Sequence, residues 1–197
     1  VGRAEQLQAR VAGDDRAEKH VRTILEQADH INDVVRGFLG LARGAPIALT
    51  ATRPDEIVKE ATALVEHRFA RANVMLVEQL AGQLPQIRCE PLLFKHALVN
   101  LLLNACDASP AKSTVRVEVS ADAGEIWFAV SDEGEGITAD HAARVTEPFF
   151  TTKPSGTGIG LAIVNEIAKT HRGTLDLAQI TPHGTRAEIR IPLEVVA

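Results

Sequence analysis

The stretch His96-Ala97-Leu98-Val99-Asn100-Leu101-Leu102-Leu103-Asn104-Ala105-Cys106-Asp107-Ala108 is apolar almost throughout, yet carries two carboxamides and an acid. Glu90-Pro91 opens it as a helix, expected over Leu92 to Asp107, and Pro110 stops it. A spacing of four residues puts Asn100, Asn104 and nearly Asp107 on one helical face, with the leucines opposite. A polar group buried without a partner costs on the order of 1–3 kcal/mol. Such a face therefore implies either bonds to neighbouring backbone or a polar ligand. An amide oxygen is a hard ligand suited to Mg²⁺, which keeps several waters and shares substrate phosphates. Both readings stand at this point.

Outward from this helix the texture is mixed α and β. Upstream, Ile47–Thr50 is a short strand candidate, and Pro54-Asp55-Glu56 starts a helix that runs to about Arg71 and ends at Asn73. Val74–Leu80 and Gln86–Cys89 read as strands. Downstream, Thr114–Ser120 and Glu125–Ser131 alternate as a hairpin around Ala123-Gly124, and a loop with a short helix follows from Asp132 to Ser155. Gly158–His171 is helical, and Gly173–Leu177 with Thr185–Ile191 makes a last strand pair. Helices and strands in this order predict an α+β sandwich, a mixed sheet with helices on one face.

The first 45 residues differ. From Val21 the apolar residues fall at 21, 24, 28, 31, 35, 38 and 42, the three-and-four alternation of a bundle seam. Val1–Val11, joined through Gly13-Asp14-Asp15, is the local partner for that helix, and Gly44 and Pro46 close it. A helical hairpin over residues 1–45 is thus expected ahead of a domain over 46–197. It would pack on its own domain or pair in a four-helix bundle.

Composition narrows the class. The 197 residues carry 21 Lys+Arg against 26 Asp+Glu, a net charge of −5, with 45% hydrophobic residues. This excludes wholesale disorder and leaves no basic footprint for nucleic acid. Cys89 and Cys106 form neither a CxxC nor a disulfide scaffold, as expected of a reduced, cytoplasmic compartment. The longest apolar run, Leu98–Leu103, is interrupted by Asn100 and falls far short of the ~18 residues of a membrane span, so no membrane contact is expected. With Met75 as its only methionine and no signal peptide, the chain reads as an excised piece of a longer protein.

Three further segments bear on chemistry. Asp132-Glu133-Gly134-Glu135-Gly136-Ile137 follows a strand, where an acid and two glycines suit close approach to a flat ligand with an exocyclic amine. Gly156-Thr157-Gly158-Ile159-Gly160-Leu161 opens a helix, where backbone amides and the helix N-terminus attract an anion. It is not a Walker loop, because Gly-Lys-Ser/Thr is absent. A dinucleotide fingerprint is disfavoured, since Pro148 and Pro154 spoil the preceding strand. Between the two lies Glu147-Pro148-Phe149-Phe150-Thr151-Thr152-Lys153, whose phenylalanines could pin a loop to the core and whose Thr151, Thr152 and Lys153 could reach phosphate oxygens.

In order, these segments and Gly184-Thr185 form a constellation more specific than its parts. It resembles the catalytic, ATP-binding domain of sensor histidine kinases, within the Bergerat-fold (GHKL) ATPases. The heptad helix resembles the second helix of their dimerisation and phosphotransfer bundle, and Asn-Ala-Cys-Asp-Ala resembles the nitrogen-regulation type. The resemblance implies a Bergerat-type sandwich that binds ATP with Mg²⁺. It places the metal on Asn104 with Asn100 beside it, the adenine amine on Asp132 supported by Thr185, and the ring against Gly136. Gly156, Gly158 and Gly160 would turn amides to the phosphates, with Lys153 in reach of the terminal one. Asp107, Gly134, Ile137, Phe150, Thr151, Thr152, Ile159 and Leu161 complete the implied nucleotide-binding set.

The resemblance also implies phosphoryl transfer to a histidine and then to a response-regulator aspartate, within a homodimeric parent whose membrane anchor, if it has one, is outside this chain. Related ATPases that hydrolyse ATP carry a glutamate base four residues before the metal-binding asparagine, where this chain has Asn100. None of His20, His30, His67, His96, His141, His171 and His183 is followed by an acid, so the acceptor is expected outside this chain. A nucleotide-sensing pseudokinase and an anti-sigma-type serine kinase are the alternatives. Two departures from the usual family wording are Arg172, within His-Arg-Gly, and Glu133.

Overall fold

The structure is a computed structural model that describes Val21 and residues 48–122, 124–153 and 156–193. The chain divides into two units, Val1–Ala45 and Pro46–Ala197. The second unit carries the sheet and helices that follow; the expected helical hairpin lies outside the described residues.

Alternation builds the sheet. In β4 (Thr114–Ala121), Val115, Val117 and Val119 are buried; in β5 (Glu125–Ser131) so are Ile126, Phe128 and Val130, and in β7 (Thr185–Pro192) Ala187, Ile189 and Ile191. Antiparallel register lines these up in rows: Val119 opposes Phe128, which opposes Ile189, which opposes Leu175 of β6 (Thr174–Gln179). β2 (Met75–Leu80) joins the other edge in parallel with β4, giving the order β2-β4-β5-β7-β6. The opposite face carries the charged residues of the same strands. There Arg186 pairs with Glu118 and Glu188, and Arg190 pairs with Glu188 at 2.6 Å.

Three helices cover the apolar face. α1 (Pro54–Ala72) buries Ile57, Val58, Ala61, Val65 and Phe69, and Asn73 ends it in the left-handed region at φ 56°. α2 (Pro91–Ala108) is the apolar helix that carries the carboxamides, and it lies between α1 and α4 (Gly160–Thr170). Phe94 of α2 rests on Phe128 of the sheet with ring centroids 4.7 Å apart. The short α3 (Ala139–Ala142) sits in the loop after β5.

One boundary is corrected. The first strand, β1, is Thr50–Thr52, not Ile47–Thr50. It pairs antiparallel with β3 (Ile87–Cys89) as a separate two-stranded sheet, Thr50 opposite Cys89, so tertiary pairing with β3 fixes its position. Both cysteines are free and buried. Among the described residues no helix is long and apolar enough to cross a membrane.

Candidate functional site

The polar face of α2 lies beneath the start of α4. Asn100 donates from Nδ2 to the His96 carbonyl at 3.0 Å, which leaves its Oδ1 facing Gly160. A Cβ at Gly160 would lie 3.1 Å from that oxygen and 3.8 Å from Asn104 Nδ2, so glycine brings the α4 backbone close to both amides. The partly exposed side chain of Asn104 has no hydrogen-bond partner among the described residues. An amide in a half-buried position that none of the described residues satisfies is suited to a ligand.

α2 and α4 differ at their N-termini. α2 is capped by Glu90, whose carboxylate accepts the Leu93 N–H at 2.6 Å. α4 has no side-chain cap: Ile159 stands at its N-cap position, followed by Gly160 and Leu161. Its N-terminus, the positive end of the helix dipole, begins at Gly160 beside the amides of α2, a setting for an anion.

Asp132 directly follows β5 and is only 6% exposed. Its Oδ1 accepts two backbone N–H groups, from Gly134 at 2.8 Å and Thr185 at 3.1 Å. Oδ2 has no hydrogen bond among the described residues, and it is the atom left to read a ligand. Burial pushes the carboxyl pKa above its ordinary value, against the pull of those N–H groups and of Lys153. Gly134 packs on the Ala108 carbonyl at the end of α2, tying this strand end to the amide-bearing helix. Gly136 has φ +84°, and the space of a Cβ is taken by the Gly184 carbonyl and the Gln179 side chain. Its smallness thus fastens the β5 loop to the β6–β7 turn. Ile137 follows, partly buried.

The loop before α4 is fixed to the glycine segment. Phe149 N–H donates to the Gly158 carbonyl at 2.9 Å, and Gly158, at φ +66°, allows the Phe149 and Phe150 backbone to pass where any side chain would collide. Arg144 lies over the Phe150 ring at 4.4 Å and His141 tilts against it, while Phe149 is 73% exposed. The Thr151 hydroxyl accepts the Lys153 N–H at 3.1 Å and abuts Gly156, so its work is to close the turn. Thr152 is exposed beside it. Lys153 Nζ donates to the Asn104 carbonyl at 3.3 Å and lies 3.8 Å from Asp107, whose other oxygen meets Arg68 at 2.8 Å.

The structure thus brings Gly160 against Asn100 and Asn104 in the second half of α2 and Lys153 against Asn104 and Asp107, with Gly158 holding the loop before α4 and with Asp132, Gly134, Gly136 and Thr185 tied to the end of α2 through Ala108. Over residues 89–195 the chain matches the family described as histidine kinase-, DNA gyrase B-, and HSP90-like ATPase. The chain belongs to this ATPase family. Sensor histidine kinase ZraS of Escherichia coli O157:H7 is 29% identical over 98% of the chain and 42% of the relative's length. The chain therefore spans about two fifths of the relatives it resembles in sequence. Full-length ShkA in complex with AMPPNP shares the fold, with a TM-score of 0.79 at 24% identity over 100% of this chain and 42% of that one. The mycobacterial sensor histidine kinase MprB superposes with a TM-score of 0.66 at 27% identity, covering 74% of this chain and 98% of that one. Within this ATPase family the motif order of the sequence and the mixed sheet of the structure agree.

Three contributions were not legible from the motifs. Thr185 meets Asp132 through its backbone N–H, which no side-chain pattern reports. Glu133 accepts the Thr114 N–H at 3.0 Å and so anchors the start of β4. His171 is buried at the far end of α4 although its sequence neighbours are ordinary. Only the glycine that follows two residues later, packed on the Arg190 carbonyl, signals a tight site there.

Proposed function

We propose that residues 46–197 bind ATP with Mg²⁺ and act as the catalytic domain of a sensor histidine kinase. The carrying observation is the Asn104 amide, without a hydrogen-bond partner among the described residues, beside the glycine-flanked N-terminus of α4, which has no side-chain cap. A hard amide oxygen and a row of free N–H groups fit a metal-bridged polyphosphate. Asn104 would hold the metal with Asn100 beside it; when bound, Mg²⁺ supplies charge neutralisation on the phosphates. Asp132 Oδ2 would accept a hydrogen bond from the adenine amine, which a guanine cannot offer there. Gly158 and Gly160 would present amides to the phosphates, and Lys153 a cation to the terminal one, whereas the Gly156 N–H already donates to the Lys153 carbonyl at 3.1 Å.

Asn100 has no basicity to activate water, which favours transfer to a protein acceptor over hydrolysis. The acceptor imidazole nitrogen would bond to the γ-phosphorus as the bridge to ADP breaks, and the phosphoryl group would pass on to a response-regulator aspartate. The acceptor would stand on a helical bundle to which residues 1–45 contribute, in a homodimeric parent. The test is incubation of the full-length parent with ATP labelled at its γ-phosphate. An acid-labile, base-stable labelled phosphoprotein is expected; acid-stable label, or none in a parent that binds ATP, overturns the kinase reading.

A further inference from the structure

His171 lies at the opposite end of α4 from the glycine segment and is only 5% exposed. Its Nδ1 lies 2.7 Å from the Ile167 carbonyl of its own helix, and its Nε2 lies 3.0 Å from the Glu90 backbone nitrogen. A backbone N–H can only donate, so Nε2 carries no proton and Nδ1–H donates to Ile167. The ring is therefore a neutral imidazole of one tautomer. It also stands edge-on to Phe94, centroids 5.4 Å apart, which itself packs on Phe128 of the sheet.

Glu90 is the N-cap of α2, so this bond joins the residue just after α4 to the residue just before the amide-bearing helix. Eighty-one residues of chain separate the two groups. The Gly160 end of α4 meets Asn100 and Asn104 further along α2. The helices thus run antiparallel, fastened by His171 at one end, with the candidate phosphate cradle at the other. At 1.5 Å rise per residue the two ends of α4 are roughly 16 Å apart. A helix of that length is stiff, so a tilt at one end displaces the other.

We propose that His171 is a positioning residue for the nucleotide: its imidazole pins α4 to the α2 N-cap and so sets the spacing between the α4 N-terminus and the Asn100 and Asn104 amides. This rests on the reading of the cradle as a nucleotide site. Burial holds the imidazole below its ordinary pKa, in keeping with a neutral ring. Glu90, the charged group that acts on it from α2, opposes that shift.

Three variants of the chain separate the bond between helices from the bond within α4. His171→Gln places an acceptor where Nε2 stands and keeps the contact to Glu90. His171→Asn places a donor where Nδ1 stands and keeps only the contact to Ile167. His171→Leu fills the space and keeps neither. Calorimetric titration with Mg-ATP is expected to give His171→Gln an affinity within about twofold of the native chain, and the other two about tenfold weaker, the scale of one lost net hydrogen bond. Circular dichroism checks that each is folded.

Asparagine and leucine variants that bind like the native chain, or a glutamine variant as weak as leucine, overturn the proposal. A second measurement needs no variant: a long-range proton–nitrogen correlation spectrum of the native chain at neutral pH. It should show His171 protonated at Nδ1 and bare at Nε2; a proton on Nε2 overturns the proposal. A native chain that binds no nucleotide fails the function reading instead, so the two failures are distinguishable.

Discussion

Lys153 of the loop before α4 donates through Nζ to the backbone carbonyl of Asn104, 3.3 Å away, on the residue whose side-chain amide has no partner among the described residues. Its ion pair with Asp107 is longer, 3.8 Å, and both side chains are more than a third exposed. Exposed pairs of this kind are worth at most about 1 kcal/mol, so the cation is held near the site at little cost to its leaving. Lys153→Ala is therefore expected to weaken ATP binding by about tenfold, a lost charge-assisted contact, while ADP affinity changes less than threefold. Competition binding with the two nucleotides measures it. Equal losses for both would place Lys153 away from the terminal phosphate.

Asn104→Ala separates site from scaffold. The side chain has no partner among the described residues, so its removal should leave the thermal unfolding midpoint within about 2 °C of the native value. The part of ATP affinity that depends on Mg²⁺ should disappear, so that titrations with and without the metal coincide. A variant that still binds more tightly with metal would move the metal to other residues.

Asp132→Asn should trade function for stability. Burial raises the Asp132 pKa in the folded chain, so folding favours the protonated carboxyl. The associated stability is present below the unfolded value of about 3.9 and is lost as pH rises through the raised folded value. At neutral pH the ionised group therefore works against folding. Asparagine keeps an oxygen for the Gly134 and Thr185 N–H groups without the charge. The melting temperature should be unchanged or about 2–4 °C higher, with selectivity for ATP over GTP abolished. A clear fall in melting temperature would contradict this reading of the buried carboxylate.

Much of this arrangement was written locally. The period of two in β4, β5 and β7, the proline starts of α1 and α2, and the stop at Asn73 are short-range signals, and they placed those elements to within a residue or two. The conjunction of two carboxamides in an apolar helix with two glycine segments gave the candidate site; of the two readings open for those amides, Asn100 takes the backbone bond, to the His96 carbonyl. What stayed hidden depends on distant partners. β1 is fixed by pairing with β3 some 39 residues on, Thr185 meets Asp132 through its backbone, and the Thr151 hydroxyl accepts the Lys153 N–H within its own turn. His171 looked ordinary since its partner, Glu90, lies 81 residues earlier.

Acid should loosen the fold through His171. Its folded pKa is lowered, chiefly by burial, so the unfolded chain binds the proton more readily. The stability this gives is complete above the unfolded value of about 6.5 and is lost as pH falls through the lowered folded value. Urea unfolding of the native chain and His171→Gln over that acid range should show a shallower fall in the variant. Identical slopes would mean that another group carries the acid dependence.

The most direct measurement is a calorimetric titration of the folded chain with ATP in the presence of Mg²⁺, repeated with the metal chelated and with GTP. The expected result is saturable binding of about one ATP per chain, weakened without the metal and absent for GTP. A flat trace from a folded chain, or equal heats for ATP and GTP, would contradict the assignment of Asn104 and Asp132 to a magnesium–ATP site.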